Sequence, residues 1–197
     1  MAKNNLTLRE QRSLELKQKI YKVSMNLFEK RGYKNVKVSD ICDAANISTG
    51  TFYYYFNSKE QVFLAYSDVA DDYFEKAASK IKGGSAAETL HKLVQRKIEM
   101  SVGTGVDVLQ HGFIAELNAH YNGSFNIERK AYKVFQSVIE EGIASGEFRA
   151  DVDPATVVSL MRYWIGGMTL HWCIEEGGFD PYAVADELMD VVLKHLV

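Results

Sequence analysis

A run of hydroxyl side chains surrounds one glycine in the stretch ISTGTFYYYF, residues 47–56. Hydroxyl groups and the free N–H groups at a helix N-terminus donate hydrogen bonds to phosphate oxygens. Gly50 lets a partner approach the backbone closely, because it carries no Cβ. The stretch holds no charged side chain, which is unusual for a solvent-facing helix. Its composition therefore predicts a contact face for a phosphate-bearing partner.

Helical geometry divides the three consecutive tyrosines of this stretch between two faces. At 100° per residue, Phe52 and Phe56 share one face, and Tyr55 leans toward it. These three side chains are predicted to be wholly or partly buried. The opposite face is formed by Gly50, Tyr53 and Tyr54.

The stretch follows two helical patterns that are expected to support it. Apolar residues at steps of three and four predict a helix over about 13–31 and a short helix over 38–45. Ser48 is a suitable N-cap for a third helix over 49–55. A supporting helix, a short helix, a turn and another short helix form the helix–turn–helix arrangement.

The rest of the chain is also predicted to be helical. Only two prolines occur among 197 residues, and each follows an aspartate, at Asp153–Pro154 and Asp180–Pro181. Asp at the N-cap with Pro at the first helical position is a typical helix start. A long fourth helix is predicted over about 58–81, capped by Asn57 and Ser58.

Charge is distributed unevenly along the chain. Residues 1–66 hold 11 basic and 6 acidic side chains, whereas residues 67–197 hold 12 and 20, giving net charges of +5 and −8. A basic end suggests contact with a polyanion, although chance can produce such a split. The sequence shows no secretory signal, no apolar stretch long enough to cross a bilayer and no disulfide framework. A cytoplasmic protein that does not contact membranes is therefore expected.

The segment RGYKNVKVSDICDAANISTGTFYYYFNSKEQVF resembles the DNA-binding signature of the TetR family of bacterial transcriptional regulators, without a gap from Gly32 to Glu60. Two positions depart from the usual family pattern. Lys37 stands where Thr often caps the second helix, so that helix is expected to start later, near Ser39. Asn46 replaces the usual turn glycine but tolerates a left-handed backbone. The DNA contacts implied by the resemblance are Lys37, Ser48, Thr49, Gly50, Thr51, Tyr53, Tyr54 and Lys59.

The resemblance also implies an all-α fold of about nine helices. A helix-turn-helix domain over residues 1–57 would precede a helical effector-binding and dimerisation domain over residues 58–197. The last two helices would form a homodimer interface around Trp164 and Val191, although a purely intramolecular core stays open. A small-molecule pocket would lie among apolar walls with few polar groups. Its candidate residues are Met100, Phe113, Glu116, Leu117, His120, Tyr132, Phe135, Trp164, Met168, His171 and Trp172.

The function implied is a DNA-binding regulator, most simply a repressor that binds a palindromic operator as a dimer and is released by a small hydrophobic effector. Activation stays open. One rival is an effector-independent or architectural DNA-binding protein, and another is a helical enzyme. No catalytic motif is recognisable in a suitable context. The five histidines and two cysteines lack metal-ligand spacing, so neither a metal site nor a cofactor is predicted.

Overall fold

The structure is a computed structural model that describes residues 7–81 and 83–197. Within these residues it contains ten α-helices, one short 3-10 turn at Tyr33–Asn35 and no β-strand, which confirms the all-helical class. The helices are α1 (Leu8–Arg31), α2 (Val38–Ala45), α3 (Thr49–Tyr55), α4 (Gln61–Leu64), α5 (Tyr66–Ala78), α6 (Ala86–Val102), α7 (Val106–Asn118), α8 (Lys130–Ser145), α9 (Pro154–Ile174) and α10 (Pro181–Leu196).

The chain forms two compact units. Unit 1 comprises Met1–Tyr66 and His111–Tyr121, and unit 2 comprises Ser67–Gln110 and Asn122–Val197. Helix α7 therefore contributes residues to both units. None of the helices in the described part of the chain combines the length and the apolar character that a membrane crossing requires.

Helix α1 begins earlier than the apolar periodicity predicted. Its N-cap is Thr7, and its first residue is Leu8 rather than a residue near Ser13. The hydroxyl of Thr7 accepts a hydrogen bond from the Glu10 backbone N–H, while the Glu10 carboxylate accepts one from the Thr7 backbone N–H. This reciprocal capping box stabilises a polar first turn that carries no apolar stripe.

Helices α1, α2 and α3 of unit 1 surround a small aromatic and aliphatic core. Phe28 stacks on Phe63 with ring centroids 5.3 Å apart, and Tyr33 lies edge-on to Phe28 at 5.1 Å. Phe52 on α3 and its C-cap residue Phe56 are buried in the same unit. Core members that are at most 2% exposed are Ile20, Phe28, Val36, Ile41, Ala45, Phe52, Phe56 and Val62.

The predicted long fourth helix is two helices, which is why the described residues form ten helices rather than about nine. The N-cap of helix α4 is Glu60, which makes no side-chain capping bond, so the prediction that Asn57 and Ser58 cap this helix was wrong. The backbone N–H groups of Val62, Phe63 and Ala65 bond three residues back, which tightens this turn. Helix α5 then ends at Ala78, short of the expected residue 81.

Unit 2 is built around a larger apolar core to which α5, α6, α8, α9 and α10 contribute. The predicted starts of α9 and α10 are confirmed, because the Asp153 and Asp180 carboxylates accept hydrogen bonds from the first backbone N–H groups. The largest side chains of this core that are under 2% exposed are Phe74, Leu90, Leu93, Ile98, Phe135, Ile139, Met161 and Met189.

Candidate nucleic-acid interface

Helix α3 presents the hydroxyl-rich face that the sequence predicted. Ser48 is its N-cap, and the Ser48 hydroxyl accepts a hydrogen bond from the Thr51 backbone N–H at 3.0 Å. Its Oγ also lies 2.8 Å from the Thr51 Oγ1. This local bonding fixes the orientation of the first turn, while Thr49 and Gly50 remain exposed.

The tyrosine run divides between two environments, as the helical projection predicted. Phe52 is fully buried, whereas Tyr53 is 50% exposed and Tyr54 is 76% exposed. Tyr55 is half-buried, and its hydroxyl lies 3.2 Å from the Ser13 hydroxyl on α1. Two large aromatic side chains thus project from unit 1 on a rigid, well-anchored helix.

The turn before α3 has the backbone that helix-turn-helix packing requires. Asn46 adopts a left-handed conformation, with φ 52° and ψ 57°. Asn tolerates this region better than most residues, so the absence of the usual glycine leaves the turn intact.

Helix α2 begins at Val38, and the expected shift to Ser39 was wrong. Lys37 occupies the N-cap position although its side chain cannot accept a hydrogen bond. Asp40 compensates, because its carboxylate accepts a hydrogen bond from the Lys37 backbone N–H at 2.7 Å. The Lys37 side chain is consequently exposed and uninvolved in capping, as a phosphate contact requires.

Lys59 has a structural role that the sequence did not reveal. Its ammonium donates hydrogen bonds of 2.9 Å to the backbone carbonyls of Tyr33 and Val36, and it lies 4.0 Å from the centre of the Tyr33 ring. The Tyr33 hydroxyl in turn donates to Glu60. The pKa of Tyr33 is raised above its ordinary value, mainly because the side chain is buried and to a lesser extent because it bonds to Glu60. Lys59 therefore stabilises the segment between α1 and α2, and a phosphate contact would be an additional role.

The eleven predicted effector residues are divided between the two units. Four of them, Phe113, Glu116, Leu117 and His120, belong to unit 1. Phe113 is buried, whereas Leu117 is 71% exposed and His120 is exposed beyond the end of α7. Their environments therefore range from core to solvent.

The remaining seven effector candidates belong to unit 2. Tyr132, Phe135 and Met168 are members of its apolar core, and Met100 and Trp164 pack against that core. Trp172 is half-buried and donates from its indole N–H to the Phe179 carbonyl at 3.2 Å. His171 is exposed. Their role in effector binding stays a prediction.

Unit 2 also buries charged residues that the sequence pattern did not predict as functional, among them Asp71, Lys97 and Arg129. Arg129 donates to the Asp71 carboxylate from Nε at 2.9 Å and from Nη2 at 2.7 Å. Lys97, on α6, is only 6% exposed. It lies four residues after Leu93 and three after Val94, on the buried side of the helix, and that spacing was the available signal. In the described part of the chain, no group of three or more potential metal ligands occurs.

Comparison with known families agrees with this architecture. The family described as "Bacterial regulatory proteins, tetR family" matches residues 20–66, and the family described as "Tetracyclin repressor-like, C-terminal domain" matches residues 83–196. The chain therefore belongs to the TetR family of bacterial transcriptional regulators. It is a DNA-binding regulator whose helix-turn-helix lies in α2 and α3.

Individual relatives extend over almost the whole chain. The HTH-type transcriptional repressor KstR2 of Rhodococcus jostii strain RHA1 is 28% identical over 186 residues, which cover 88% of this chain and 87% of the relative. The fatty acid metabolism regulator protein of Bacillus subtilis strain 168 is 20% identical over 179 residues, covering 89% and 92%. The solved structure of Thermus thermophilus FadR in complex with lauroyl-CoA has a TM-score of 0.72 at 20% identity, covering 92% and 95%. This last similarity shows the shared fold.

Proposed function

We propose that the chain is a homodimeric, ligand-responsive repressor that binds an inverted-repeat operator in the cytoplasm and has no catalytic role. Residues 1–57 would bind DNA, and residues 58–197 would bind the effector and dimerise. The exposed face of α3 carries the proposal, because Tyr53 and Tyr54 project from a short helix that Phe52 anchors on its opposite, buried side. Two such helices related by a two-fold axis would enter successive major grooves, about 34 Å apart.

The proposed division of labour on the DNA follows from the chemistry of each side chain. Thr49 and Thr51, near the N-terminus of α3, would contact base edges, with Tyr54 beside them. Phosphate contacts would come from exposed Lys37 and from the hydroxyls of Ser48, Tyr53 and Tyr54. Phosphate contacts position a protein on the duplex, whereas base contacts determine which sequence it prefers.

An apolar stripe along α9 supports the homodimer. Leu160, Tyr163, Leu170 and Ile174 are all exposed, at 65%, 58%, 38% and 68%. On a helical projection they fall within about 80° of one another, so they form one continuous face. Gly167 lies at the centre of that face, and a Cβ built on it would meet no atom within 4 Å.

Helix α10 offers a further exposed apolar residue for the same interface. Val191 is 65% exposed, although its helix packs against α6 and α9 through Ala185 and Met189. A second copy of the chain would bury Val191 together with the α9 stripe. Two-fold symmetry makes such a surface self-complementary, and two-fold operators require it.

The effector is proposed to be a small molecule with a large apolar part. The T. thermophilus relative was solved in complex with lauroyl-CoA, and a B. subtilis relative is described as a fatty acid metabolism regulator. An acyl compound such as an acyl-CoA is therefore the first ligand class to test. The aromatic and methionine side chains Met100, Tyr132, Phe135 and Met168 supply suitable apolar walls in unit 2.

The proposed switch uses the chain segment that follows α3 directly. A ligand that alters the direction of α5 would change the separation of the two recognition helices in the dimer. If that separation no longer matched the spacing of successive major grooves, only one recognition helix could bind its half-site. The repressor would then leave the operator. Coupling of this kind is typically about 1–3 kcal/mol, or about 5–150-fold in operator affinity.

Binding to labelled DNA from upstream of the chain's own gene tests the proposal. The double variant Tyr53→Ala, Tyr54→Ala should lose at least about tenfold in affinity, because it removes two phosphate or base contacts. Tyr73→Ala is the matched control, since Tyr73 is 51% exposed but belongs to unit 2. Equal affinity for both variants and the wild type would exclude α3 as the recognition helix. Sequence-specific binding without any ligand response would favour an effector-independent DNA-binding protein.

A further inference from the structure

An irregular segment between α7 and α8, here called the connector (residues 122–129), is attached to two other helices of unit 2. It contains no helical residue, so its conformation depends on what its side chains and carbonyl groups contact. One attachment leads to α5, which the proposed switch uses. The other leads to α9, which carries the exposed apolar stripe of the proposed dimer. The connector therefore joins the two helices on which the geometry of that dimer depends.

A buried ion pair attaches the last residue of the connector to α5. The guanidinium of Arg129 donates twice to Asp71 Oδ1, and the two side chains are 4% and 9% exposed. Arg129 is also the N-cap residue of α8, but its side chain cannot accept the hydrogen bond that capping requires. Asp71 supplies the missing acceptor, because its Oδ2 accepts a bond of 2.9 Å from the Lys130 backbone N–H. One carboxylate on α5 thus holds both the connector and the start of α8.

This anchor lies near the beginning of α5. The helix starts at Tyr66, and Asp71 follows five residues later, less than two helical turns along. The chain passes from unit 1 to unit 2 between Tyr66 and Ser67. The ion pair therefore restrains the end of α5 that the chain reaches from the helix-turn-helix.

A close fit attaches the connector to α9. The guanidinium of Arg162 donates from Nη1 to the Phe125 carbonyl and from Nη2 to the Ser159 hydroxyl at 3.2 Å. The Phe125 ring lies against Gly166, where a Cβ would come within 2.6 Å of the ring Cζ. Any side chain at position 166 would displace this ring, so the glycine allows α9 and the connector to approach closely.

Tyr163 links this attachment to the exposed stripe of α9. The centres of the Tyr163 and Phe125 rings are 6.4 Å apart, and Arg162 Cζ lies 4.2 Å from the centre of the Tyr163 ring. Tyr163 is nevertheless 58% exposed. A second copy of the chain that packed on the stripe would contact Tyr163, and its packing would bear on the connector.

We propose that the connector fixes the direction of α5 relative to the dimer face of α9, and that Phe125 and Arg129 thereby determine which spacing of operator half-sites the dimer accepts. The proposal rests on the homodimer and the inverted-repeat operator proposed above. Both are positioning residues, because they act on the recognition helices through α5. A bidentate ion pair fixes the relative orientation of its two groups, and a ring packed against a helix backbone resists sliding.

Operators of altered spacing test the proposal. One base pair inserted at the centre of the upstream operator separates the half-sites by about 3.4 Å more and rotates them by about 35°. The wild type should prefer the original spacing. Arg129→Lys, which keeps the charge but loses the bidentate contact, should discriminate less. The ratio of the two affinities should fall at least about fivefold, the lower end of typical coupling between sites.

Two measurements distinguish positioning from a merely structural role. DNA with a single half-site should bind the wild type and Arg129→Lys equally, because α3 is unchanged. Arg149→Lys is the matched control and should keep the wild-type ratio. Arg149 makes a comparable bidentate contact to Asp151, with bonds of 3.0 and 2.6 Å, but in the loop between α8 and α9 with its side chain 48% exposed.

Phe125→Leu tests the attachment to α9 without disturbing the buried ion pair. It should lower the same ratio, because a smaller side chain no longer fills the space against Gly166. Thermal unfolding of each variant verifies that it is folded. Since Phe125 is only half-buried, this variant decides the question if Arg129→Lys does not fold. A loss of stability alone would weaken binding to every DNA in proportion and leave the ratio unchanged.

The outcomes separate the connector from the proposed function. A lower ratio in every folded connector variant, with Arg149→Lys unchanged, supports the proposal. Folded connector variants that keep the wild-type ratio overturn it and leave the homodimeric repressor standing. A wild type that binds the original operator, the lengthened operator and the single half-site equally overturns the two-fold operator, and the connector proposal with it.

Discussion

Adjacent glycines on α9 allow the proposed dimer interface to be tested within one helix turn. Replacing Gly167 with Ala adds a methyl group at the centre of the exposed apolar stripe, where the protomer offers no atom within 4 Å. Replacing Gly166 with Ala instead places a methyl group 2.6 Å from Cζ of the Phe125 ring. The first change affects the packing of another molecule against the stripe, and the second affects packing within the protomer against Phe125.

Gly167→Ala should have opposite effects on the folding stability of the protomer and on the stability of the dimer. Gly167→Ala should stabilise the isolated protomer by up to about 1 kcal/mol, because Ala has the higher helix propensity. In the dimer, overpacking costs about 1–3 kcal/mol per site, and two-fold symmetry doubles it to about 2–6 kcal/mol. The dissociation constant of the dimer should therefore rise at least about tenfold.

Sedimentation equilibrium measures the dimer constant, and thermal unfolding at low protein concentration measures the stability of the protomer. Gly166→Ala is the matched control and should unfold at a lower temperature, because the gain in helix propensity does not offset overlap with Phe125. A Gly167→Ala chain that dimerises as tightly as the wild type would contradict the reasoning. In that case the α9 helices of two protomers would not approach each other closely at Gly167.

Three further predictions concern the DNA-binding unit and the buried lysine. Lys59→Ala should lower the free energy of unfolding by about 2 kcal/mol in a denaturant titration, because two backbone carbonyls lose a charged donor. Lys37→Ala is the control and should leave that free energy unchanged. Thr49→Ala should relax base preference at one operator position by about 1–3 kcal/mol without lowering nonspecific affinity, as measured with a panel of single-base operator variants. From pH 7 to pH 9, the wild type should gain stability relative to Lys97→Met, because the unfolded chain retains a proton that folded Lys97 loses above its pKa of about 7; a constant difference would contradict this.

Helix α3 was predictable because its signals are local. An N-capping serine, a short apolar face and a hydroxyl-rich opposite face determine its bounds and its orientation, and the structure confirms residues 49–55 as helix α3. The starts of α9 and α10 were predictable for the same reason, since Asp followed by Pro begins a helix wherever it packs.

Features that depend on distant contacts were not predictable in this way. The roles of Lys59 and Arg129 require partners 26 and 58 residues away, at Tyr33 and Asp71. The apolar periodicity predicted one continuous helix through Ala65, whereas in the structure α4 ends there. The early start of α1 was missed because a capping box, rather than an apolar stripe, supports its first turn.

Operator affinity with and without an effector tests the central claim most directly. Fluorescence anisotropy of labelled upstream DNA would be measured with the wild-type protein across a titration of lauroyl-CoA, while tryptophan fluorescence reports whether the ligand is bound. We predict sequence-specific binding that weakens by about 5–150-fold as the ligand saturates, with operator DNA weakening ligand binding by the same factor. Operator affinity that stays unchanged while the tryptophan signal saturates would contradict a ligand-responsive repressor.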